Sequence, residues 1–488
     1  GGRRRVPTTM VQGVAIEDGC IVDTDPATGE VIARVRCTPT SEVPAMVARA
    51  RAAQPAWAAT PLAERVSMLK GACASLADRR DELVETIVRE MGKVRAEAEE
   101  EVSGAIGRAT YVEQIGAANA PRQIDNGLVV RDAHGVVVVC SPWNFPADEP
   151  LLLCLPALCA GNAVILKPSE VVPLVGAIVG DALRRALPEG VLQLAQGDGA
   201  VGAALVQADV QMVAMTGSSA TGKKIMAACA PGLKRLVLEL GGKDPMICFA
   251  DADLERAADD AVAFSLFNCG QVCCSVERVY VAEAIKSQFE ALCALKAAAF
   301  TAGSGFDADV RIGPMVSAMQ RDAVAAQLDE AVKAGARVLA QAPVKPGAPP
   351  GATYFPATVL TDVPEECAIH RAETFGPLVV ISPFDGSEAS AARLANDSEY
   401  GLAAYVYTRD LGKAARVACK IRAGQVGINN WSLAKAPTRC PWVGAKGSGF
   451  GYHSGDDGWR QFSVPKSLIF DDASLVPTEI DGTAVVRD

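Results

Sequence analysis

Short β-branched runs alternate with helix-length segments over most of this chain, from residue 134 onward. The first runs lie at residues 136–139, 163–166, 191–194, 211–214 and 236–239, and helix-length segments such as 174–186 and 220–230 separate them. Strands joined by helices pair in parallel, with right-handed crossovers and helices on both faces of the sheet. The pattern therefore predicts an α/β fold that begins with a doubly wound, Rossmann-like nucleotide-binding sheet.

A second series of strands and helices follows the first. Its runs lie at 246–249 and 279–281, its helices at about 253–267 and up to about 299, and further units extend to Ile428. The turn residues Gly241-Gly242 and Asp244-Pro245 mark the join between the two series. With 488 residues the chain can form two or three packed units. We predict one domain at 1–118 and 134–240, and a second α/β domain at 241–446.

The region before the first run reads as helical. Between residues 41 and about 117 apolar residues recur at helical spacing, with Ser41 as the expected N-cap. The segment 90–101 is highly charged, and we interpret it as a solvated helix face. The Pro- and Gly-rich stretch 342–352 is predicted to be a surface loop.

Composition excludes several classes of function. The net charge of −10 makes the chain a poor binder of nucleic acid. Its three histidines are far apart in sequence, so we expect no metal site. The longest uncharged stretch, 151–166, is too short for a membrane span. Fifteen scattered cysteines favour reduced thiols and an intracellular, reducing compartment, with cytosol, mitochondrial matrix and plastid left open.

Two segments offer a nucleophile and a base. Residues 267–275 form a connecting loop that contains Cys273 and Cys274, although a cysteine cluster taken alone more often packs than reacts. Glu239 closes the apolar run 236–240, where burial would raise its pKa toward that of a general base. The alternative for Glu239 is a salt bridge to Lys234.

Two further segments offer polar groups for binding. Prolines 142 and 146 hold Asn144 directly after the first strand, where a rigid amide could stabilise an oxyanion or could simply form a turn. Residues 216–224 link a strand to a helix whose N-terminus could bind phosphate. Lys224 stands where a nucleotide triphosphatase loop needs Ser or Thr, so we reject that class and keep a dinucleotide pyrophosphate as the ligand.

Taken together, these segments resemble the aldehyde dehydrogenase superfamily over residues 23–470, nearly the whole chain. The resemblance is carried by PWNFP at 142–146, LKPSE at 166–170, TGS at 216–218, LELGGKDP at 238–245, GQVC at 270–273, ETFGP at 373–377 and KGSGFG at 446–451. Glu239 and Cys273 are 34 residues apart (273 − 239), the spacing usual in the hydrolytic members. The resemblance implies a nucleotide-binding domain, a catalytic domain at 241–446, and an oligomerisation element at 119–133 with the C-terminal segment 447–488. It also implies a homodimer or homotetramer.

The resemblance also assigns roles to single residues. Cys273 would be the nucleophile, Glu239 the base that activates water, and Asn144 with the Cys273 main-chain N–H the oxyanion donors. Lys167 and Glu170 would hold the adenine ribose, and the carboxylate at 170 would favour NAD over NADP. The other cofactor residues would be Trp143, Thr216, Gly217, Ser218, Leu240, Glu373 and Phe375. The substrate-binding residues would be Phe145, Cys274 and Trp442.

The chain departs from the family pattern in two places. Val443 follows Pro441-Trp442 where a glycine is usual, which would reshape that loop. Asp148 and Glu149 replace apolar residues after PWNFP, and we interpret them as caps of the helix that begins near Pro150. If they faced the tunnel instead, they would disfavour anionic aldehydes. Leu152 stands where members that bind quaternary-ammonium aldehydes carry a second tryptophan, so no betaine-type substrate is predicted.

The resemblance implies NAD-dependent oxidation of a small-molecule aldehyde to a carboxylic acid through a cysteine thioester. One alternative is transfer of the acyl group to coenzyme A, which would not need the base at Glu239. The other is a catalytically silent scaffold that reuses the fold.

Overall fold

The computed structural model describes residues 9–11, 13–431 and 436–487 of the chain. An antiparallel four-stranded sheet comes first and contains β1 (Thr9–Val11), β2 (Val14–Glu17), β3 (Cys20–Thr24) and β4 (Val31–Arg36). It is followed by the helices α1 (Val43–Ala59), α2 (Leu62–Ser75), α3 (Arg80–Glu90) and α4 (Arg95–Asn119). The prediction of a helical region is confirmed. Ser41 as an N-cap is wrong, because a 3₁₀ turn, Thr40–Glu42, precedes α1 and no side chain caps either element.

A β-hairpin and the first parallel sheet follow. The hairpin is β5 (Arg122–Ile124) and β6 (Gly127–Ala133). The sheet and its helices are β7 (Val136–Cys140), α5 (Glu149–Cys159), β8 (Ala163–Lys167), α6 (Pro173–Arg185), β9 (Leu192–Leu194), α7 (Gly199–Gln207), β10 (Met212–Thr216), α8 (Ser219–Cys229) and β11 (Arg235–Glu239). The five strands pair in parallel in the order β11-β10-β7-β8-β9. Each predicted run is a strand, and the doubly wound arrangement is confirmed.

The second sheet begins directly after the turn at 241–243. Its elements are β12 (Asp244–Cys248), α9 (Leu254–Leu266), β13 (Val276–Ala282), α10 (Lys286–Ala297), α11 (Ala318–Ala334), β14 (Arg337–Gln341), β15 (Thr358–Thr361), β16 (Leu378–Phe384), α12 (Glu388–Asn396), β17 (Ala403–Tyr407), α13 (Leu411–Ala418) and β18 (Gln425–Ile428). The strand order is β14-β15-β16-β13-β12-β17-β18, and only β14 is antiparallel to its neighbour. Residues 342–352 connect β14 to β15 without a helix or strand.

The chain ends with β19 (Gly449–Phe450), α14 (Gly455–Arg460), β20 (Ser463–Ile469), β21 (Glu479–Ile480), β22 (Thr483–Ala484) and β23 (Val486–Arg487). Strand β19 returns to the first sheet beside β11. Strand β20 pairs with the hairpin, giving a small sheet of order β20-β6-β5-β23. This sheet exposes apolar side chains, of which Ile469 is the most exposed at 74%. The domain limits drawn from the sequence stay a prediction.

The hydrophobic core is built around the apolar strands of the two parallel sheets. All residues of β8, β10, β12 and β17 are buried, as expected for parallel strands covered on both faces. One large cluster lies between α2–α6 and the first sheet, and another surrounds the second sheet. In the described part of the chain, no helix has both the length and the hydropathy that a membrane crossing requires.

Candidate active site

The first parallel sheet has its topological switch point between β7 and β10. The chain leaves β7 toward β8 on one side, and β10 lies on the other side. Sheets of this kind bind ligands outside the carboxyl ends of their strands at such a point. Asn144 follows β7, Thr216 ends β10, and Glu239 ends β11. Thr216 and Glu239 are opposite each other in the strand register, so the sheet brings these predicted residues to one edge.

The loop that carries Cys273 connects α9 to β13 and has an unusual backbone. Asn268, Cys269 and Gly270 all have positive φ angles, of 51°, 56° and 71°. A Cβ at Gly270 would lie 2.2 Å from the carbonyl oxygen of Gly376, so only glycine fits there. Left-handed conformations at non-glycine residues cost of order 1–3 kcal/mol each and persist where the surroundings fix them. The loop is therefore held in one conformation by its neighbours.

Asn144 is one of those neighbours. Its side-chain amide donates to the carbonyl of Gln271 at 3.1 Å. In return, the side-chain amide of Asn268 donates to the carbonyl of Asn144 and to that of Gln271, both at 3.1 Å. An amide NH₂ has two donors, so one N–H of Asn144 remains for a further acceptor. These bonds join the predicted oxyanion donor to the loop of the predicted nucleophile.

Glu239 lies in an apolar environment and is only 4% exposed. The indole N–H of Trp442 donates to its Oε1 at 3.2 Å, while Oε2 is buried without a hydrogen-bond partner. Burial raises the pKa of Glu239 to about 7, against the lowering effect of hydrogen bonds from Trp442 and the Cys273 thiol. The salt bridge to Lys234 does not form, because that lysine donates to the carbonyls of Val206 and Ala208.

The Cys273 thiol has a pKa well above its ordinary value. The adjacent Cys274 thiol raises it most, followed by burial and the nearby carboxyl of Glu239. The thiolate is the nucleophilic form of cysteine, so the proton must leave Cys273 when it reacts. The Glu239 carboxyl is close enough to receive it, since each of the two groups shifts the pKa of the other. The turn after Glu239 is close to the same loop, since a Cβ at Gly242 would lie 2.4 Å from the Cys273 carbonyl oxygen.

Helix α4 and the residues just before it brace both loops with charged side chains. The prediction of a solvated face at 90–101 is wrong for Glu90, Lys93 and Glu101, which are buried, while Glu97 is half-buried. Lys93 pairs with Glu101 at 2.7 Å, and the two residues are 1% and 5% exposed. Glu101 also accepts from the main-chain N–H of Ala147 at 2.7 Å. Glu97 accepts from the N–H of Asn268 at 3.1 Å. The carboxylates replace water as partners for main-chain groups of the two active-site loops.

Glu90 is likewise buried, and it accepts from the first N–H groups of α6, at Leu174 and Val175. The charges of this segment are therefore used inside the protein. Only their spacing is visible in the sequence: Lys93, Glu97 and Glu101 recur every four residues, next to the apolar Ala98 and Val102.

Substituting Lys93 by methionine should destabilise the protein. The change leaves the Glu101 carboxylate buried without its cation, and breaking a buried pair from one side costs about 3–5 kcal/mol. The Lys93 ammonium also lies 3.6 Å from the centre of the Phe145 ring, and that contact is lost as well. We expect the thermal unfolding midpoint to fall by roughly 5–10 °C.

Lys70→Met is the matched control, because it removes a cation from the exposed pair Lys70–Glu113. Exposed pairs contribute about 1 kcal/mol or less. Equal midpoints for the two variants would contradict the bracing role of Lys93.

Asp148 is the N-cap residue of α5 and Glu149 lies in its first turn, as interpreted from the sequence, but their side chains do not form capping hydrogen bonds. Neither side chain accepts a hydrogen bond at the start of the helix. Asp148 forms a bidentate pair with Arg108, with N–O distances of 2.8 and 2.6 Å. Glu149 instead accepts from the hydroxyl of Thr216 at 3.3 Å, which places it beside the switch point.

The residues predicted to bind the adenine ribose lie at the end of β8 and just after it, and those predicted to bind the pyrophosphate follow β10, so the two sets lie on opposite sides of the switch point. Lys167 and Glu170 are buried and 3.2 Å apart. Ser218 is the N-cap of α8, accepts from the N–H of Thr221 at 3.3 Å, and is exposed. Gly217 precedes it in the same turn.

Four more predicted cofactor residues surround the turn after β11. Trp143 and Phe375 pack edge to face, 5.3 Å apart. Glu373 accepts from the N–H of Gly242 at 3.0 Å, and burial raises its pKa to about 8. Leu240 is buried beside Gly222 of α8.

The three predicted substrate residues differ in their surroundings. Phe145 stacks with Phe267, 6.4 Å apart. Trp442 stacks with His453, 6.0 Å apart, and binds Glu239 as described above. Cys274 is buried, and its carbonyl accepts from the hydroxyl of Tyr405 at 2.7 Å. His453, Asn268 and Gln271 were not singled out from the sequence, and nothing in their local pattern marks them.

Comparisons with known proteins agree on one family. The model of the aldehyde dehydrogenase family matches residues 14–468. A betaine aldehyde dehydrogenase from Sinorhizobium fredii is 38% identical over 455 residues, which cover 91% of this chain and 92% of the relative.

Solved structures give the same result. Lactaldehyde dehydrogenase from Escherichia coli matches with a TM-score of 0.86 and 33% identity, covering 93% of this chain and 96% of that one. Betaine aldehyde dehydrogenase from Staphylococcus aureus, in complex with NAD+, matches with a TM-score of 0.88 and 30% identity, covering 94% and 93%.

Proposed function

This chain belongs to the aldehyde dehydrogenase family, and on that premise we propose that it oxidises an aldehyde to the carboxylic acid with NAD, through a thioester on Cys273. The observation that carries the proposal is the arrangement around Cys273. A base with a pKa of about 7, Glu239, and an amide donor, Asn144, adjoin its loop. Oxidation of aldehydes with a nicotinamide cofactor is the reaction of the family.

The residues present fit a dinucleotide. The N-terminus of α8, with its exposed cap Ser218, offers main-chain N–H groups and the positive end of the helix dipole to a pyrophosphate. The Lys167–Glu170 pair offers a cation and a carboxylate to ribose hydroxyls. Glu373 lies on the Gly241–Gly242 turn, beside the end of β11. When bound, the oxidised nicotinamide supplies the acceptor for a hydride.

The chain's own residues supply the covalent chemistry. Glu239 takes the thiol proton while the sulfur of Cys273 bonds to the aldehyde carbon. Asn144 and the Cys273 main-chain N–H then hold the oxyanion of the thiohemiacetal. Loss of hydride from that carbon leaves a thioester. After Glu239 has lost that first proton, its carboxylate takes a proton from water while the water oxygen attacks the thioester carbon. The C–S bond then breaks and the proton of the acid passes to the sulfur, which releases the carboxylate and restores the thiol.

The test is an assay of nicotinamide reduction across short aliphatic, semialdehyde, amino-aldehyde and aromatic aldehydes, with NAD and with NADP. We expect reduction with at least one class and release of the free acid. Coenzyme A added to the assay should not be acylated. Formation of an acyl-CoA product would show that the thioester is transferred to coenzyme A and not hydrolysed. If neither cofactor is reduced with any of the aldehydes, the result would favour a catalytically silent scaffold that reuses the fold.

We propose NAD as the preferred cofactor because the Glu170 carboxylate would repel a 2′-phosphate. Glu170→Gln removes that charge and should raise kcat/KM with NADP relative to NAD by about tenfold, equivalent to about 1.4 kcal/mol. Glu189→Gln is the control, since Glu189 is an exposed acid outside this site. An unchanged ratio in Glu170→Gln, or the same shift in Glu189→Gln, would remove Glu170 from cofactor selection.

The sheet β20-β6-β5-β23 is our proposed oligomerisation surface for a homodimer or homotetramer. Its support is the apolar exposure of Ile124, Val464, Leu468 and Ile469 on one small sheet.

A further inference from the structure

The side chain of Glu149 points to the catalytic carboxylate rather than along its own helix. Its Oε2 accepts from the Thr216 hydroxyl at 3.3 Å, and Thr216 is the register partner of Glu239 on the neighbouring strand. Paired residues of parallel strands project their side chains to the same face of the sheet. The two carboxyl groups therefore face each other beside one threonine.

Glu149 has no cation partner in the described part of the chain, unlike the acid next to it. Its neighbour Asp148, also at the start of α5, is bound by Arg108 of α4. The charged or titratable groups that influence Glu149 are Asp148, Arg108, Glu239 and, from its loop, Cys273. No ion pair to Glu149 occurs among residues 13–431 and 436–487.

The ionisation of each carboxyl of this pair depends on its surroundings and on the other carboxyl. Burial and the carboxyls of Glu239 and Asp148 raise the pKa of Glu149 well above its ordinary value, against the lowering effects of Arg108 and Thr216. Two like carboxyls that face each other ionise one after the other. Glu239, with its pKa of about 7, is partly ionised near neutral pH and can act as the base.

Hydrolysis gives Glu239 a proton that it must lose before the next turnover. Its side chain is almost fully buried, and its Oε2 has no protein partner. The other groups that contact it are poor acceptors: the Trp442 indole only donates, and the Cys273 sulfur is acylated at this stage. Two further acids interact with Glu239, namely Glu149 and Glu373. Glu373 accepts from the main-chain N–H of Gly242, whereas Glu149 adjoins Glu239 through Thr216 and is more exposed than Glu239.

We propose that Glu149 is the proton exit of Glu239 during thioester hydrolysis, an inference that rests on the proposed function. Water gives one proton to the Glu239 carboxylate as its oxygen attacks the thioester carbon. Glu149 releases its own proton to solvent and then receives the proton of Glu239. As the C–S bond breaks, the proton of the newly formed acid passes to the Cys273 sulfur. The pair returns to its starting state, and the net products are the carboxylate, the free thiol and one released proton.

The test separates hydride transfer from hydrolysis in Glu149→Gln. The variant keeps size and polarity but cannot carry the proton. With a reactive aldehyde and NAD, the first-turnover burst of reduced cofactor should stay near one per active site. The following steady rate should fall by roughly 10–100-fold, and thioester trapped by acid quenching should accumulate.

Two further measurements distinguish proton transfer from a structural effect. Added formate or acetate, as a small diffusible acid, should restore the steady rate of Glu149→Gln in proportion to its concentration. Glu149→Asp should regain most of the rate, because it restores the carboxyl. The control Glu100→Gln, which removes an exposed acid from α4, should match the unmodified enzyme in both phases.

Failure of the proton exit and failure of the proposed function give different results. A normal steady rate in Glu149→Gln, or a reduced rate that neither formate nor Glu149→Asp restores, would overturn the proton exit. A lack of any burst in the unmodified enzyme would instead refute the proposed function.

Discussion

Cys273→Ala should reduce the formation of both reduced cofactor and carboxylic acid to background. Without the sulfur no covalent adduct forms, and the hydride would have to leave an aldehyde hydrate that nothing holds in place. Removal of a covalent nucleophile commonly lowers kcat by at least about 10⁴-fold. The measurement is kcat for the best aldehyde of the panel, with cofactor binding followed separately to show that the site is intact.

Cys419→Ala is the control for this substitution. Cys419 is exposed at the end of α13, whereas Cys273 lies in the loop between α9 and β13. The control should keep full activity, which shows that loss of a thiol as such has no effect. Turnover at the normal rate by Cys273→Ala would assign the chemistry to a different group.

The order of strands and helices could be predicted from the sequence because parallel strands leave a strong pattern. Strands buried on both faces are continuous apolar runs, and helices must connect them on the sheet faces. The runs at 136–139 and 236–239 became β7 and β11 with shifts of at most one residue at either end. Glu239 could be located for the same reason, since it ends such a run.

The buried charges could not be predicted, because their partners are distant in sequence. Local spacing cannot tell a solvated acid from one that binds main-chain groups about 46 residues away, as Glu101 does with Ala147. The same reason explains Asp148, whose partner Arg108 is 40 residues earlier. Trp442 reaches Glu239 across 203 residues, so this contact too needed the fold.

Glu239→Gln should separate the two halves of the reaction. Glutamine keeps an oxygen for the Trp442 indole, so the local packing is preserved. It cannot take a proton from water, and loss of a positioned general base lowers a rate by roughly 10²–10⁴-fold. Because Glu239 also takes the thiol proton in the proposed mechanism, the thioester should form more slowly than in the unmodified enzyme. It should still form once per site and accumulate, seen as a slowed burst of reduced cofactor followed by a much slower phase.

The steady rate of hydrolysis should rise with pH if Glu239 is the base. Glu239 acts as a base only when ionised, and burial raises its pKa to about 7. The steady rate of the unmodified enzyme should therefore rise with pH through about 7 and level off above it, whereas an ordinary glutamate would level off near pH 5. In Glu239→Gln the slow phase should lose this rise, because the group that titrates is gone. A slow phase that kept the same midpoint near 7 would mean that a different group, such as Glu149 or Glu373, activates the water.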